Sequence, residues 1–263
     1  MCFKTFICIV QSLLAIYYFM RVGLFIPCYI DQFYPNVGIA TLQLLEKFGL
    51  DVYYPEKQTC CGQPLANSGY EHLTQPINNC FIENFTGFDY IVSPSGSCVL
   101  HIKEHLHGSG AINQSQQIRG NVYELVEFLT DVLKIESLTA SFPYKVGLHQ
   151  SCHGQRGLRL ASMTELNETR FSKPETLLKM VKGLDLIELK RKDECCGFGG
   201  TFCVTEEAVS YKMGKDRVND HANQNAEYIT AADMSCLMHM EGILKRANSK
   251  IKVIHIAEIL NAG

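Results

Sequence analysis

The chain has no tryptophan, and its charges nearly cancel: 24 basic residues against 27 acidic, a net charge of −3. A basic surface large enough to engage nucleic acid or an anionic membrane by bulk electrostatics is therefore not expected. It also lacks a long apolar run. The longest uncharged N-terminal stretch, Thr5 to Met20 between Lys4 and Arg21, is 16 residues, short of the roughly 20 that a membrane helix needs. No G-x-G-x-x-G, P-loop or G-x-S-x-G sequence occurs, so neither a nucleotide-binding turn nor a nucleophile elbow is indicated. Disorder is excluded as well. Of the 263 residues 46% are hydrophobic and 19% charged, which suffices for a buried core.

What is abundant is cysteine, with 12 residues. That is too few for a disulfide miniprotein and many for an ordinary soluble enzyme. The cysteines are patterned, because the chain repeats. RVGLFIPC at 21–28 matches KVGLHQSC at 145–152, and TCCGQP at 59–64 matches ECCGFG at 194–199. DYIVSPSGSC at 89–98 matches EYITAADMSC at 227–236, and NVYELVEFL at 121–129 matches KVIHIAEIL at 252–260. The spacing drifts from 124 residues (Cys28 to Cys152) to 138 (Cys98 to Cys236), as loop insertions would produce. Four landmarks in one order read as a tandem duplication of roughly 120 residues per copy, about one domain each.

Local patterns read as alternating strands and helices. Val22–Ile26, Val52–Tyr54 and Tyr90–Val92 are apolar strands. A helix opens at Pro35, carries Val37, Leu44, Leu45 and Phe48 on one face, and stops at Gly49. The stripe Val122, Leu125, Val126, Leu129 and Leu133 predicts a helix over 122–135. The second copy offers strands at 145–149, 184–189, 228–231 and 251–254, and helices at 174–182, 205–219 and 236–247. The fold class expected is α/β: two pseudo-symmetric βα halves with mostly parallel sheets. Residues 20–140 form the first half and 141–263 the second, divided near the polar stretch 137–144. Residues 1–19 are a separate apolar segment. The favoured reading is an extension upstream of a start at Met20; a membrane-associating helix, a signal peptide and a buried element are the alternatives.

In this reading Cys28, Cys98, Cys152 and Cys236 each follow a strand, and Cys60–Cys61 and Cys195–Cys196 lie in loops just after one. Ligands of open α/β sheets collect beyond the carboxyl ends of the strands. Cys28, Cys60, Cys61 and Cys98 are thus expected to converge, and Cys152, Cys195, Cys196 and Cys236 likewise. Convergent thiolates suit iron–sulfur clusters or zinc. A vicinal pair is unusual for mononuclear zinc, whose ligands are commonly spaced C-x₂-C. Disulfides in a secreted protein remain an alternative, since the count is even and sequons occur at Asn84, Asn113 and Asn167. Cys2, Cys8 and Cys80 lack counterparts and read as ordinary thiols. Cys203 is ambiguous. His101, His105 and His107 follow Cys98 and read first as a solvated helix face, with metal binding as the sharper alternative. His153 and Arg156, beside Cys152, are candidates to hydrogen-bond cluster sulfur or a substrate carboxylate, and His153 is the speculative base. No other residue reads as a general base.

Two copies of Cys…Cys-Cys-Gly…Cys, each opening on a strand, resemble the cysteine-rich CCG domain found in heterodisulfide reductase and in the glycolate oxidase iron–sulfur subunit. TCCGQPLANSGY (59–70), PSGSC (94–98), ECCGFGGTFCV (194–204) and ADMSCLMHMEG (232–242) resemble the lactate utilisation protein A family more closely, and the resemblance covers residues 20–263. It implies a cytoplasmic subunit carrying one or two [4Fe–4S] clusters, with zinc as the alternative at one site. The implied function is electron transfer in a complex that oxidises L-lactate to pyruvate, catalytic only with its partners. Those partners would be the other lactate utilisation subunits, one a ferredoxin-like iron–sulfur protein; the substrate is a small 2-hydroxy acid. The sequence departs from the CCG chain of heterodisulfide reductase in one respect. There the last Cys of each copy belongs to a C-x-x-C pair, and here the earlier position is Ser95 or Asp233. Four thiols per copy fit a [4Fe–4S] cluster by count. Asp233 is either an oxygen ligand or a helix N-cap, and Ser95 and Ser97 are read alike. Two rival functions are a zinc-binding scaffold without redox chemistry and a thiol–disulfide reductase subunit. A glycolate-type oxidase subunit would bring a C-x₂-C-x₂-C-x₃-C region, which is absent.

Overall fold

The computed structural model describes residues 20–110 and 112–263. The expectations for residues 1–19, including Cys2 and Cys8, fall outside the described residues. Among these, no helix is long and apolar enough to cross a membrane.

The first half runs β1 (Arg21–Leu24), α1 (Cys28–Phe33), α2 (Pro35–Lys47), β2 (Asp51–Tyr53), α3 (Gln63–Asn67), α4 (Gln75–Phe85), β3 (Tyr90–Ser93), α5 (Gly96–His105), α6 (Ile112–Asn121), β4 (Val122–Glu124) and α7 (Leu125–Glu127). The second half runs β5 (Lys145–Leu148), α8 (Lys173–Leu178), β6 (Asp185–Ile187), α9 (Phe202–Thr205), α10 (Glu207–Asn223), β7 (Tyr228–Ala231), α11 (Met234–Arg246), β8 (Lys252–His255) and α12 (Ile256–Leu260). Each half builds one four-stranded sheet, ordered β2-β1-β3-β4 and β6-β5-β7-β8. Every pairing is parallel. The two orders are the same pattern twice, so the α/β architecture with duplicated halves stands. Irregular chain at 134–140 separates the sheets.

One expectation is corrected. Residues 122–124 are not the start of a helix; they are β4, paired through Val122 with Ile91. The apolar stripe continued across two different elements. The boundary is chemical: Glu124 accepts from the Val126 and Glu127 N–H groups, and the Glu127 side chain accepts from the Glu124 N–H. That capping box starts α7 immediately after the strand, and a π-helical turn follows at Phe128–Val132. The second half repeats the device, with His255 and Glu258 capping α12 after β8.

The halves exchange helices. The terminal α12 of the second half packs on α2 of the first, and α7 of the first packs on α8 of the second. Leu44, Leu45, Leu125 and Leu129 join Leu177, Leu178, Ile256 and Leu260 in one buried cluster. Burying such side chains contributes roughly 1.5–3 kcal/mol each, so the two sheets share a core. A polar seam crosses the same boundary. Ser95, which caps α5, bridges to Asp233, which precedes α11. Asp233 Oδ2 accepts from the Ser97 N–H at 2.8 Å, and Oδ1 accepts from the Tyr29 hydroxyl at 3.1 Å and the Ser235 hydroxyl at 2.9 Å. Asp233 stands at the expected N-cap position, yet its carboxyl group caps the other half's helix and not its own.

Candidate metal centres

All eight predicted cysteines lie at the carboxyl ends of parallel strands. Cys28 opens α1 after β1, Cys60 and Cys61 occupy the loop after β2, and Cys98 sits in the first turn of α5 after β3. In the second half Cys152 follows β5, Cys195 and Cys196 follow β6, and Cys236 sits in the first turn of α11. Within each half the thiols form a chain of neighbours: Cys28 with Cys60, Cys60 with Cys61, and Cys61 with Cys98 at 3.4 Å. The second half repeats it as Cys152, Cys195, Cys196 and Cys236. All eight are free of disulfide bonds.

Four sulfurs packed this way cannot all be thiolates without a compensating cation. In the metal-free protein the thiol–thiol hydrogen bonds favour the charged form at Cys60 and at Cys195. Hydrogen bonds from Cys28 and Cys61 push Cys60 down to about 2, and bonds from Cys152 and Cys196 push Cys195 down to about 2. Those bonds in turn push the donor thiols Cys28, Cys61, Cys152 and Cys196 up, and burial adds to it. Backbone supports the charge, since Gly62 N–H donates to Cys60 Sγ at 3.4 Å and Gly197 N–H to Cys195 Sγ at 3.3 Å. A cation-seeking, all-sulfur donor set is what an iron–sulfur or thiolate–zinc group requires.

The two glycines that make these bonds differ in tolerance. Both are left-handed, at φ +89° for Gly62 and +84° for Gly197. A Cβ on Gly62 meets Thr74 at 3.4 Å and His101 Nε2 at 3.7 Å, both ordinary contacts, whereas one on Gly197 falls 2.8 Å from the Ser210 backbone oxygen and 2.7 Å from Met213 Cβ. Gly62→Ala is expected to cost about 1–2 kcal/mol, the ordinary penalty of that backbone region. Gly197→Ala adds an overpacking cost of about 1–3 kcal/mol. Urea unfolding of the metal-free variants checks the order; equal midpoints would contradict it.

The remaining candidates separate. His101 is not on a solvated face: it is buried, one turn beyond Cys98, and its Nε2 faces Gly62. Burial pushes it down to about 4, so it is neutral near pH 7. His105 does face solvent, paired with Glu71 at 2.8 Å, and exposed His107 lies past the end of α5. Residues 153–157 form a π-helical turn carrying His153 and Arg156, and Arg156 pairs with Glu165 at 2.8 Å. Cys203 donates its thiol to Gly200 O at 3.0 Å, and Cys80 faces Lys57 O at 3.5 Å. A cleft of about 720 Å³ opens beside the second sheet, lined by Leu148, Gln150, Ser172, Ile187, Arg170 and Lys192 among others.

Sequence reasoning missed three residues behind the second thiol group: His149, Arg217 and His221. Each is 1% exposed or less. Donor atoms of His149, Cys196 and Cys236 lie within 4.8 Å of one another. Burial, with the nearby Arg217 guanidinium, pushes His149 down to about 3. The repeat itself held the signal, because RVGLFIPC aligned on KVGLHQSC sets Phe25 against His149.

Comparison with known proteins matches this arrangement. The cysteine-rich domain model, CCG, matches twice, at residues 22–103 and 146–241, one match per half. The chain is 41% identical over 247 residues to lactate utilization protein A of Bacillus subtilis and of a Geobacillus strain. Each alignment covers 92% of this chain and 100% of the relative. Among solved structures, a hypothetical protein from Helicobacter pylori superposes with a TM-score of 0.58 at 12% identity. That match covers 95% of this chain and 52% of the other, so it speaks for the fold alone. The doubled CCG match and the full-length relatives together place the chain in the lactate utilization protein A family of cysteine-rich CCG-domain proteins.

Proposed function

We propose that the chain is an iron–sulfur electron-transfer subunit of lactate utilisation, working in a cytoplasmic complex that oxidises L-lactate to pyruvate. The observation that carries this reading is the repeated convergence of four thiols at equivalent strand ends, in a family whose relatives bear the name lactate utilization protein A. Residues 20–140 and 141–263 act as two CCG units. Cys28, Cys60, Cys61 and Cys98 hold one [4Fe–4S] cluster, and Cys152, Cys195, Cys196 and Cys236 hold the other. A bound cluster supplies one-electron transfer. The chain's own part is to bind it, to bring Gly62 and Gly197 N–H groups onto its sulfur ligands, and to exclude water around buried Cys61, Cys98, Cys196 and Cys236. Hydrogen bonds and burial of this kind set cluster potential. The 2-hydroxy acid is oxidised with partner subunits, one a ferredoxin-like iron–sulfur protein.

Geometry favours clusters over mononuclear zinc in the first half. Tetrahedral zinc, with Zn–S near 2.3 Å, draws all its sulfurs within about 4 Å of each other. Among the described residues the only three-donor set within 4.8 Å is the one in the second half, and the first-half thiols form an open chain. The test is iron, zinc and acid-labile sulfide per chain, on full-length protein purified without oxygen. About four to eight irons with matching sulfide are expected. Lactate should then reduce the clusters once the partner subunits are added. Zinc without sulfide would overturn the electron-transfer reading and leave a scaffold.

A further inference from the structure

We propose that His149 is a nitrogen ligand of the second centre, so that the halves hold chemically different centres: sulfur alone in the first, sulfur with imidazole in the second. This rests on the metal-centre reading above and goes beyond it. The molecule contains its own control. In the first half Phe25, at the matching position, packs edge-on against Phe81 and Phe85, with ring centroids 5.0 and 5.8 Å away. Phe81 and Phe85 lie one turn apart on α4. In the second half the corresponding helix, α10, carries Arg217 and His221 at the same four-residue spacing. The backbone supports the correspondence. A Cβ on Gly23 of β1 would meet Phe85 and Phe88, and one on Gly147 of β5 would meet His221 Nδ1 at 2.1 Å. Hence an apolar aromatic cluster fills this place once, and a His–Arg–His cluster fills it once. The fold does not require the polar version.

The polar version is costly. Neither ring nitrogen of His149 has a hydrogen-bond partner, and the same holds for His221 and for Arg217 Nε and Nη2. Buried polar groups left this way are destabilising and rare. Coordination resolves the cost at His149, whose nitrogen is already within 4.8 Å of Cys196 and Cys236 Sγ. The Thr230 carbonyl accepts from the His149 N–H at 2.7 Å, holding the backbone extended past β5 so that the ring follows Gly147 onto the α10 side. Arg217 lies behind it, and its guanidinium interacts electrostatically with Cys196. The imidazole would join the four thiolates as a fifth, neutral donor, and the buried Arg217 cation would raise the potential of a cluster bound there, so that electrons would collect at the second centre.

The test uses the anaerobically purified full chain, labelled with ¹⁵N-histidine, and pulsed EPR of the reduced clusters. A strongly coupled histidine nitrogen is expected in the wild type. His149→Phe, which installs the first half's residue, should lose that coupling and shift the potential of one centre only. His149→Gln should lose it too. If both variants fail to fold, the labelled wild type decides alone. Clusters present without a strongly coupled histidine nitrogen, or a coupling that survives in His149→Phe, would overturn the assignment while leaving the iron–sulfur reading intact. Protein with no iron at all would overturn both.

Discussion

Cys196→Ser should remove about half of the bound iron, and Cys61→Ser with Cys196→Ser nearly all of it. Each residue is the inner thiol of its vicinal pair, 6% exposed for Cys61 and 1% for Cys196. Each links its partner in the pair to the thiol on the helix, Cys98 or Cys236. A serine oxygen is a harder donor than thiolate and a poor match for iron in a sulfur-rich cluster. Buried as deeply as these, the lost ligand cannot be replaced by bulk water. Cys80→Ser and Cys203→Ser serve as controls, because both thiols face backbone carbonyls; their iron should be unchanged. Iron and acid-labile sulfide per chain give the readout. Full iron in both Cys61→Ser and Cys196→Ser would refute the ligand assignment.

Asp233→Ala is expected to destabilise the metal-free protein by about 2–5 kcal/mol, because each buried donor left without an acceptor costs about 1–3 kcal/mol. Asp233 is 0% exposed. Its carboxyl group accepts from the Ser97 N–H and the Tyr29 hydroxyl of the first half, and from the Ser235 hydroxyl of its own. Alanine leaves the Ser97 N–H and the Ser235 hydroxyl buried without this acceptor, and Tyr29 with its bond to Ser95 alone. Asp233→Asn keeps one acceptor oxygen, so its cost is smaller. Tyr29→Phe removes two hydrogen bonds, to Asp233 and to the Ser95 hydroxyl, and should cost about 1–3 kcal/mol. The midpoint of urea unfolding measures all three. A shift of less than about 1 kcal/mol for the alanine variant, no more than one ordinary hydrogen bond, would show that the seam does not hold the halves together.

The sulfur framework was legible because duplication wrote it twice. Val-Gly-Leu before Cys28 and Cys152, and the runs before Cys98 and Cys236, fixed the parallel strands and the side of the sheet where the thiols gather. The short strand β4 was not legible in its own copy. Its apolar spacing runs on into α7, and a three-residue strand is too brief to show alternation; the matching KVIH of β8, richer in β-branched residues, did read as extended. His101 was misread because a histidine one turn past a cysteine looks the same whether the helix turns it to water or to Gly62. His149 was legible in the repeat, opposite Phe25, had the two copies been compared residue by residue; Arg217 and His221 were missed for a deeper reason. Polar residues on a helix read as outward-facing, and only tertiary packing reveals that Gly147 leaves room for an imidazole inside.

The seam between Ser95 and Asp233 bears on how two such halves came to share one chain. These positions are equivalent in the repeat and face each other across the bridge. In a homodimer of identical halves, symmetry would force like against like. Two aspartates would bring acceptor against acceptor, with their repulsion magnified by burial, and two serines would offer no strong acceptor for the opposing helix. Fusion lifts that restriction. Once the copies are covalently joined, each side of the junction mutates alone, and hydroxyl can meet carboxyl. The same freedom lets Phe25 and His149 diverge without either change being imposed on the other half.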